Sequence, residues 1–140
     1  MATTYVYLDS DVSHDISIDL KHLGPRVGNA NLTTQVISPR QQSIEIMTIP
    51  RFIAIGVYNL DVAFSLPEGY VASLQVLMKG HAPGSMIWWR WRTATAQIGA
   101  WVTDHNPHAT TVTLGGTPYT FTIQGQATRG YDDILVKLAG

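Results

Sequence analysis

Apolar residues in this chain recur with a period of two, and that spacing restricts its fold more than any other feature. In Ile16-Ser17-Ile18-Asp19-Leu20-Lys21 every even position is apolar and every odd one polar. Successive side chains point to opposite sides only along an extended strand, so this stretch has one dry face and one wet face. The alternation returns in Leu60-Asp61-Val62-Ala63-Phe64-Ser65-Leu66, in Val112-Thr113-Leu114 and in Tyr119-Thr120-Phe121-Thr122-Ile123-Gln124. Ile134-Leu135-Val136-Lys137-Leu138 closes the chain in the same style. Denser apolar runs at 44–49, 52–58 and 71–78 predict more deeply buried strands.

The residues between these runs are those that turns require. Gly24-Pro25, Ser38-Pro39, Leu66-Pro67-Glu68-Gly69, Ala82-Pro83-Gly84 and Asn106-Pro107 each fix φ or remove a backbone donor. Gly115-Gly116 lies between two alternating runs and suits a tight hairpin with positive φ. Asp132-Asp133, after Gly130, also reads as a hairpin turn. Around Val57-Tyr58-Asn59 the apolar parity switches from odd to even, which predicts a bulge or turn at Asn59. Leu20, Leu23 and Val27 are spaced for a helix over 19–28, but Gly24-Pro25 limits it to a single turn. About eight to ten short strands without a strong helix predict an all-β, antiparallel β-sandwich, a jelly roll first and an immunoglobulin-like arrangement second. With no composition break and no repeat, residues 1–140 read as one domain, with 1–4 an extended N-terminal arm.

Composition narrows the function classes. Charged residues make up 14% of the chain, against roughly 25% in an average soluble domain. Threonine, glycine and small polar residues stand in for the missing charges, which suggests a surface partly covered by neighbours. A net charge of −1 gives no electrostatic footprint for nucleic acid or an acidic membrane. The absence of cysteine removes disulfides, thiolate metal sites and a cysteine nucleophile together. Met1-Ala2-Thr3-Thr4-Tyr5 lacks the basic and apolar segments of a signal peptide, and no apolar run approaches the roughly 20 residues of a membrane span. These features predict a protein made in a cytoplasm without export.

The most unusual stretch is Ile87-Trp88-Trp89-Arg90-Trp91-Arg92. On a strand, Ile87, Trp89 and Trp91 face one side and Trp88, Arg90 and Arg92 the other. The plain expectation places Trp89 and Trp91 in the core and leaves the arginines beside a more exposed Trp88. The functional alternative is an interface anchor, because tryptophan and arginine dominate binding hot spots. Trp88 stacked on a sugar ring is a further reading, and single-strand stacking on nucleic acid a poorer one, given the neutral charge.

A second cluster is Asp104-His105-Asn106-Pro107-His108, with Trp101 just upstream. Two imidazoles and a carboxylate have metal-ligand chemistry, and His81 or His14 would have to supply a third ring. The short spacing favours a polar turn, so no metal and no cofactor are expected. His14 and His22 are isolated. Asp9-Ser10-Asp11 lacks the rest of a calcium loop. The chain holds no G-x-S-x-G, no phosphate-binding glycine loop and no H-E-x-x-H, and its carboxylates fall mainly beside strands and turns. The expectation is a non-enzyme; a small β-barrel hydrolase or isomerase would need an acid/base pair assembled only in space.

In general character the chain resembles the small β-sandwich decoration or cement proteins of tailed-phage heads. The shared features are a short cysteine-free chain, no export signal, few charges, abundant threonine and a largely β fold. The resemblance covers the whole chain and rests on no diagnostic motif. It implies a virion protein, itself a homo-oligomer, that clamps neighbouring capsid subunits, and tail subunits would look much the same. Arg26, Arg40 and Arg51, beside proline-containing loops or strand ends, would then anchor to acidic capsid surface along with Trp88, Arg90 and Arg92. The alternative is a carbohydrate-binding module or lectin that uses Trp88, Trp101, Asp104, His105 and His108.

Overall fold

The computed structural model describes residues 2–22, 35–51, 57–79, 86–94, 98–128 and 131–140. They form ten strands: β1 (Ala2–Asp11), β2 (Ile16–His22), β3 (Gln35–Ile37), β4 (Ile44–Arg51), β5 (Val57–Leu66), β6 (Gly69–Lys79), β7 (Met86–Thr93), β8 (His108–Leu114), β9 (Thr117–Thr128) and β10 (Tyr131–Ala139). Each alternating run of the sequence lies within one of these strands, and no helix occurs among the described residues. Asp19–His22, where the strand reading of 16–21 overlaps the helix candidate over 19–28, are strand residues of β2; the rest of that segment, with Gly24-Pro25, lies outside the described residues.

The strands build two five-stranded sheets, ordered β4-β1-β10-β9-β8 and β3-β2-β5-β6-β7. Two antiparallel meanders, β5-β6-β7 and β8-β9-β10, supply three strands of each sheet. The chain then ends beside its own beginning, with β10 parallel to β1 from Val6↔Ile134 to Asp11↔Ala139. The expected β-sandwich is present. Its ten strands and its parallel pair distinguish it from the all-antiparallel jelly roll of about eight strands.

Alternation decides which residues enter the core. Ile16 and Ile18 from β2, Leu60, Val62 and Phe64 from β5, and Phe121 and Ile123 from β9 are fully buried, whereas Ser17, Asp19 and Thr120 next to them in sequence are exposed. Phe64 and Phe121 meet across the sheets with ring centroids 5.3 Å apart and planes tilted by 55°. Such tilted contacts between large rings add to the stabilisation from apolar burial.

Two bulges account for adjacent buried residues that alternation alone would forbid. Between Val6↔Met47 and Tyr7↔Glu45, β4 carries Ile46 as an extra residue, so Ile46 and Met47 are both buried. Between Phe64↔Ala72 and Ser65↔Tyr70, β6 carries Val71 in the same way. The bulge expected at Asn59 is absent: β5 pairs there with Leu77 in unbroken register. Asp132 and Asp133 are not turn residues either. Both lie in β10, and Asp133 is buried and accepts a 2.9 Å hydrogen bond from the Tyr5 amide. Ala2–Thr4, expected as an arm, begin β1 and pair with Arg51, Pro50 and Ile49. The expected Gly115-Gly116 hairpin is present, with φ of 55° and 83° joining β8 to β9.

Candidate functional site

The outer face of β5, β6 and β7 carries a set of polar and aromatic side chains linked by contacts. Register aligns Asp61 of β5 with Gln75 of β6 and Arg90 of β7, and one row along it aligns Ala63, Ser73 and Arg92. The side chains follow this lattice. Arg90 Nε donates to Gln75 Oε1 at 2.7 Å, Gln75 Nε2 donates to Asp61 Oδ2 at 3.3 Å, and Arg92 forms a close ion pair with the same carboxylate oxygen. Asp61, Ser73 and Gln75 are buried although they face away from the core. Tyr70 adds a hydroxyl contact of 2.6 Å to Ser73 and donates to the Arg92 carbonyl at 3.3 Å.

The electrostatics follow from these contacts. The hydrogen bond to Asp61 holds the Arg92 guanidinium charged and raises its pKa above the usual value. Burial and the neighbouring charge of Arg92 pull Arg90 the other way. Burial also raises the pKa of the Tyr70 phenol. A buried carboxylate that meets a guanidinium and an amide avoids the heavy cost of an unpaired buried charge.

Beyond β7 the chain folds back along its outer edge. Trp89 and Val102 exchange backbone hydrogen bonds of 3.1 and 2.9 Å, and the Gly99 amide bonds to the Trp91 carbonyl at 3.0 Å. This return places the Trp101 ring under the Arg90 guanidinium, 4.0 Å from its carbon to the ring centroid. Arg90 is therefore fixed twice, by Gln75 along its edge and by an aromatic face below it. Trp88 lies half-buried on the same face of β7 as Arg90 and Arg92. On the opposite face Ile87 and Trp89 are buried and Trp91 packs against the core, as alternation predicts.

The remaining candidates lie apart from this cluster. Asp104 accepts from the Asn106 amide and pairs with His108 Nε2, each at 2.9 Å, so the loop closes on itself. The His108 contact, then the Asn106 amide, lowers the Asp104 pKa below the ordinary carboxylate value. His105 enters through its carbonyl, which accepts from Gln124 Nε2 at 3.1 Å. Among the described residues, no three His, Asp or Glu side chains converge as a metal site. Arg40 pairs with Asp11 at 2.9 Å, with both side chains largely in water. Arg51 ends β4 and is described through its backbone pairing alone; Arg26 and His81 lie outside the described residues.

Arg40 and Asp11 border a cleft of about 230 Å³ at one end of the sandwich, where His14, Glu68 and Tyr119 also meet. Tyr119 donates to Glu68 at 3.0 Å, and His14 Nε2 stands 3.9 Å from the same carboxylate oxygen. Burial and Glu68 together raise the Tyr119 pKa. The sequence does not announce this cluster, because its members come from four separate turns and strand ends. Asp61 and Gln75 were likewise missed: each looks like an ordinary polar residue on a wet face until register places it under an arginine.

No protein-family model matches this chain, and no curated protein matches its sequence.

Proposed function

We propose that this chain is a structural protein of a virion, a decoration or cement subunit that binds and stabilises the assembled head of a tailed phage. It acts without catalysis and without a cofactor. The outer face of β5, β6 and β7 is the surface that meets the capsid. One observation carries the reading: Arg90 and Arg92 are held in place by buried Asp61 and Gln75 and by Trp101, on the face that also presents Trp88. Arginine and tryptophan supply most hot-spot energy at protein interfaces, and side chains ordered before contact lose less entropy on binding. The low charge, 14%, fits a molecule whose surface is covered by neighbouring subunits.

A sugar-binding role finds less support. Arg90 covers one face of the Trp101 ring, and the Asp104 carboxylate is engaged by His108 and the Asn106 amide. Those groups would have to be released before they could hold a glycan.

The test is co-sedimentation with empty tailed-phage heads assembled without this chain. Saturable binding is expected, weakened about tenfold or more by Trp88→Ala or Arg90→Ala, the scale of a hot-spot truncation. No binding to heads, together with a glycan-array signal that Trp88→Ala abolishes, would replace this reading with the lectin.

A further inference from the structure

The two sheets have four edges, and three of them are closed to further strands. β3 is only three residues long. β4 is broken by the Ile46 bulge and carries Pro50, which has no amide to donate. β7 is covered by residues 98–102, which bond to Trp89 and Trp91. β8 differs on every count. It pairs with β9 through all seven residues without a register shift, and its sequence His108-Ala-Thr-Thr-Val-Thr-Leu114 has no proline, lysine, arginine or acid. Among the described residues its other edge pairs with no strand. Folded proteins guard such edges with charge, proline, bulges or a covering segment, because an open ladder recruits another strand.

From this edge we infer that the protein dimerises by antiparallel pairing of β8 with β8 of a second copy, about a two-fold axis through Thr111. The strand is self-complementary in that register. On the solvent face Thr111 meets its own copy and Ala109 meets Thr113; on the inner face Thr110 meets Val112 and His108 meets Leu114. β-Branched and threonine pairs are favourable across strands, and no fixed charge opposes a like charge. A second feature lies at the same place. A cleft of about 320 Å³ opens between β8 residues Thr111–Leu114 and Tyr70, Val71, Thr93 and Ala94 of the other sheet. A strand added to β8 would roof that cleft and bring the second copy's Thr110 and His108 to its mouth. The two outer five-stranded sheets would then run together as one across the axis, an isologous contact that closes at two chains.

Sedimentation of the purified protein and of Thr111 variants tests this directly. Thr111 is exposed, so a charged side chain there leaves the fold intact, which unchanged circular dichroism would verify. The wild-type chain is expected at twice its 15.4 kDa mass. Thr111→Lys and Thr111→Glu, each alone, put like charges face to face on the axis and should sediment as monomers. Mixed in equal amounts, the two variants should pair again. A monomeric wild type, a dimer that survives Thr111→Lys, or two charge variants that fail to pair would each overturn the proposal. The dimer is independent of capsid binding: a β8 dimer that ignores phage heads contradicts only the virion reading.

Discussion

At the level of single residues, the chemistry of this protein depends on partners far away in sequence. Gly125 shows the packing side of this. A Cβ at that position would lie 2.2 Å from Cζ2 of the buried Trp89 ring and 3.0 Å from the Asp104 carbonyl. Glycine normally weakens a strand, so its place in β9 is explained by the ring that lies against it. Gly125→Ala should cost about 1–3 kcal/mol, the usual penalty for overfilling a packed site, read as a lowered urea midpoint with unchanged slope. Asp104 shows the electrostatic side. Its folded pKa lies below the ordinary value of 3.8 because His108 and then the Asn106 amide bond to its charged form. For a depressed carboxylate the stabilisation is present above the unfolded pKa and disappears as pH falls through the folded one. In an NMR titration Asp104 should therefore keep its charge at pH values where free aspartate is half protonated. His108→Ala should return its midpoint toward 3.8.

At the level of strands and turns, much was legible in the sequence because strand geometry is local. Period-two spacing marked β2, β5, β8, β9 and β10, and Gly115-Gly116 marked the turn of the β8–β9 hairpin. The two turn glycines also separate conformation from contact. A Cβ on Gly115 would meet Glu68 Oε2 at 3.3 Å, whereas one on Gly116 would meet nothing within 4 Å. Gly116→Ala therefore measures positive φ alone, and should cost about 1–2 kcal/mol in thermal or urea unfolding. A neutral result would mean that the turn relaxes to another type. What the sequence concealed were the features set by pairing. No alternating run marked β1, because Thr4 and Ser10 occupy inward positions beside Val6 and Leu8, which blurs the apolar count. Asp133 read as a turn residue because aspartate favours turns, while the amide of Tyr5 that satisfies it comes from the far end of the chain. The site divides in the same way. The facing of Trp88, Arg90 and Arg92 follows from alternation within β7, but the Asp61–Gln75 support and the Trp101 stack depend on register and on the fold-back of residues 98–102.

At the level of the whole molecule, the two ends of the chain form the middle of one sheet. β1 and β10 lie side by side at its centre, with β4 beyond one and β9-β8 beyond the other. Neither half of that sheet is complete until the last strand arrives, and Ile134, Val136 and Leu138 of that strand are fully buried in the shared core. The Tyr5–Asp133 hydrogen bond joins residues 128 apart, so the loop closed by this pairing spans nearly the entire chain. Long-range pairing of this kind is slow, and sandwiches with such topology fold in about milliseconds to seconds. Removing residues 131–140 should therefore do more than trim an end: it takes out the strand that links β4-β1 to β9-β8 and uncovers apolar surface on both sides. The truncated chain is expected to lose cooperative urea unfolding, followed by the fluorescence of its four tryptophans. In the intact protein, the amides of β1 and β10 should exchange with solvent only through global opening, at rates that match each other and the unfolding free energy. Faster exchange in β10 than in β1, or a truncated chain that still unfolds in one sharp transition, would show that the sandwich closes without its terminal strand.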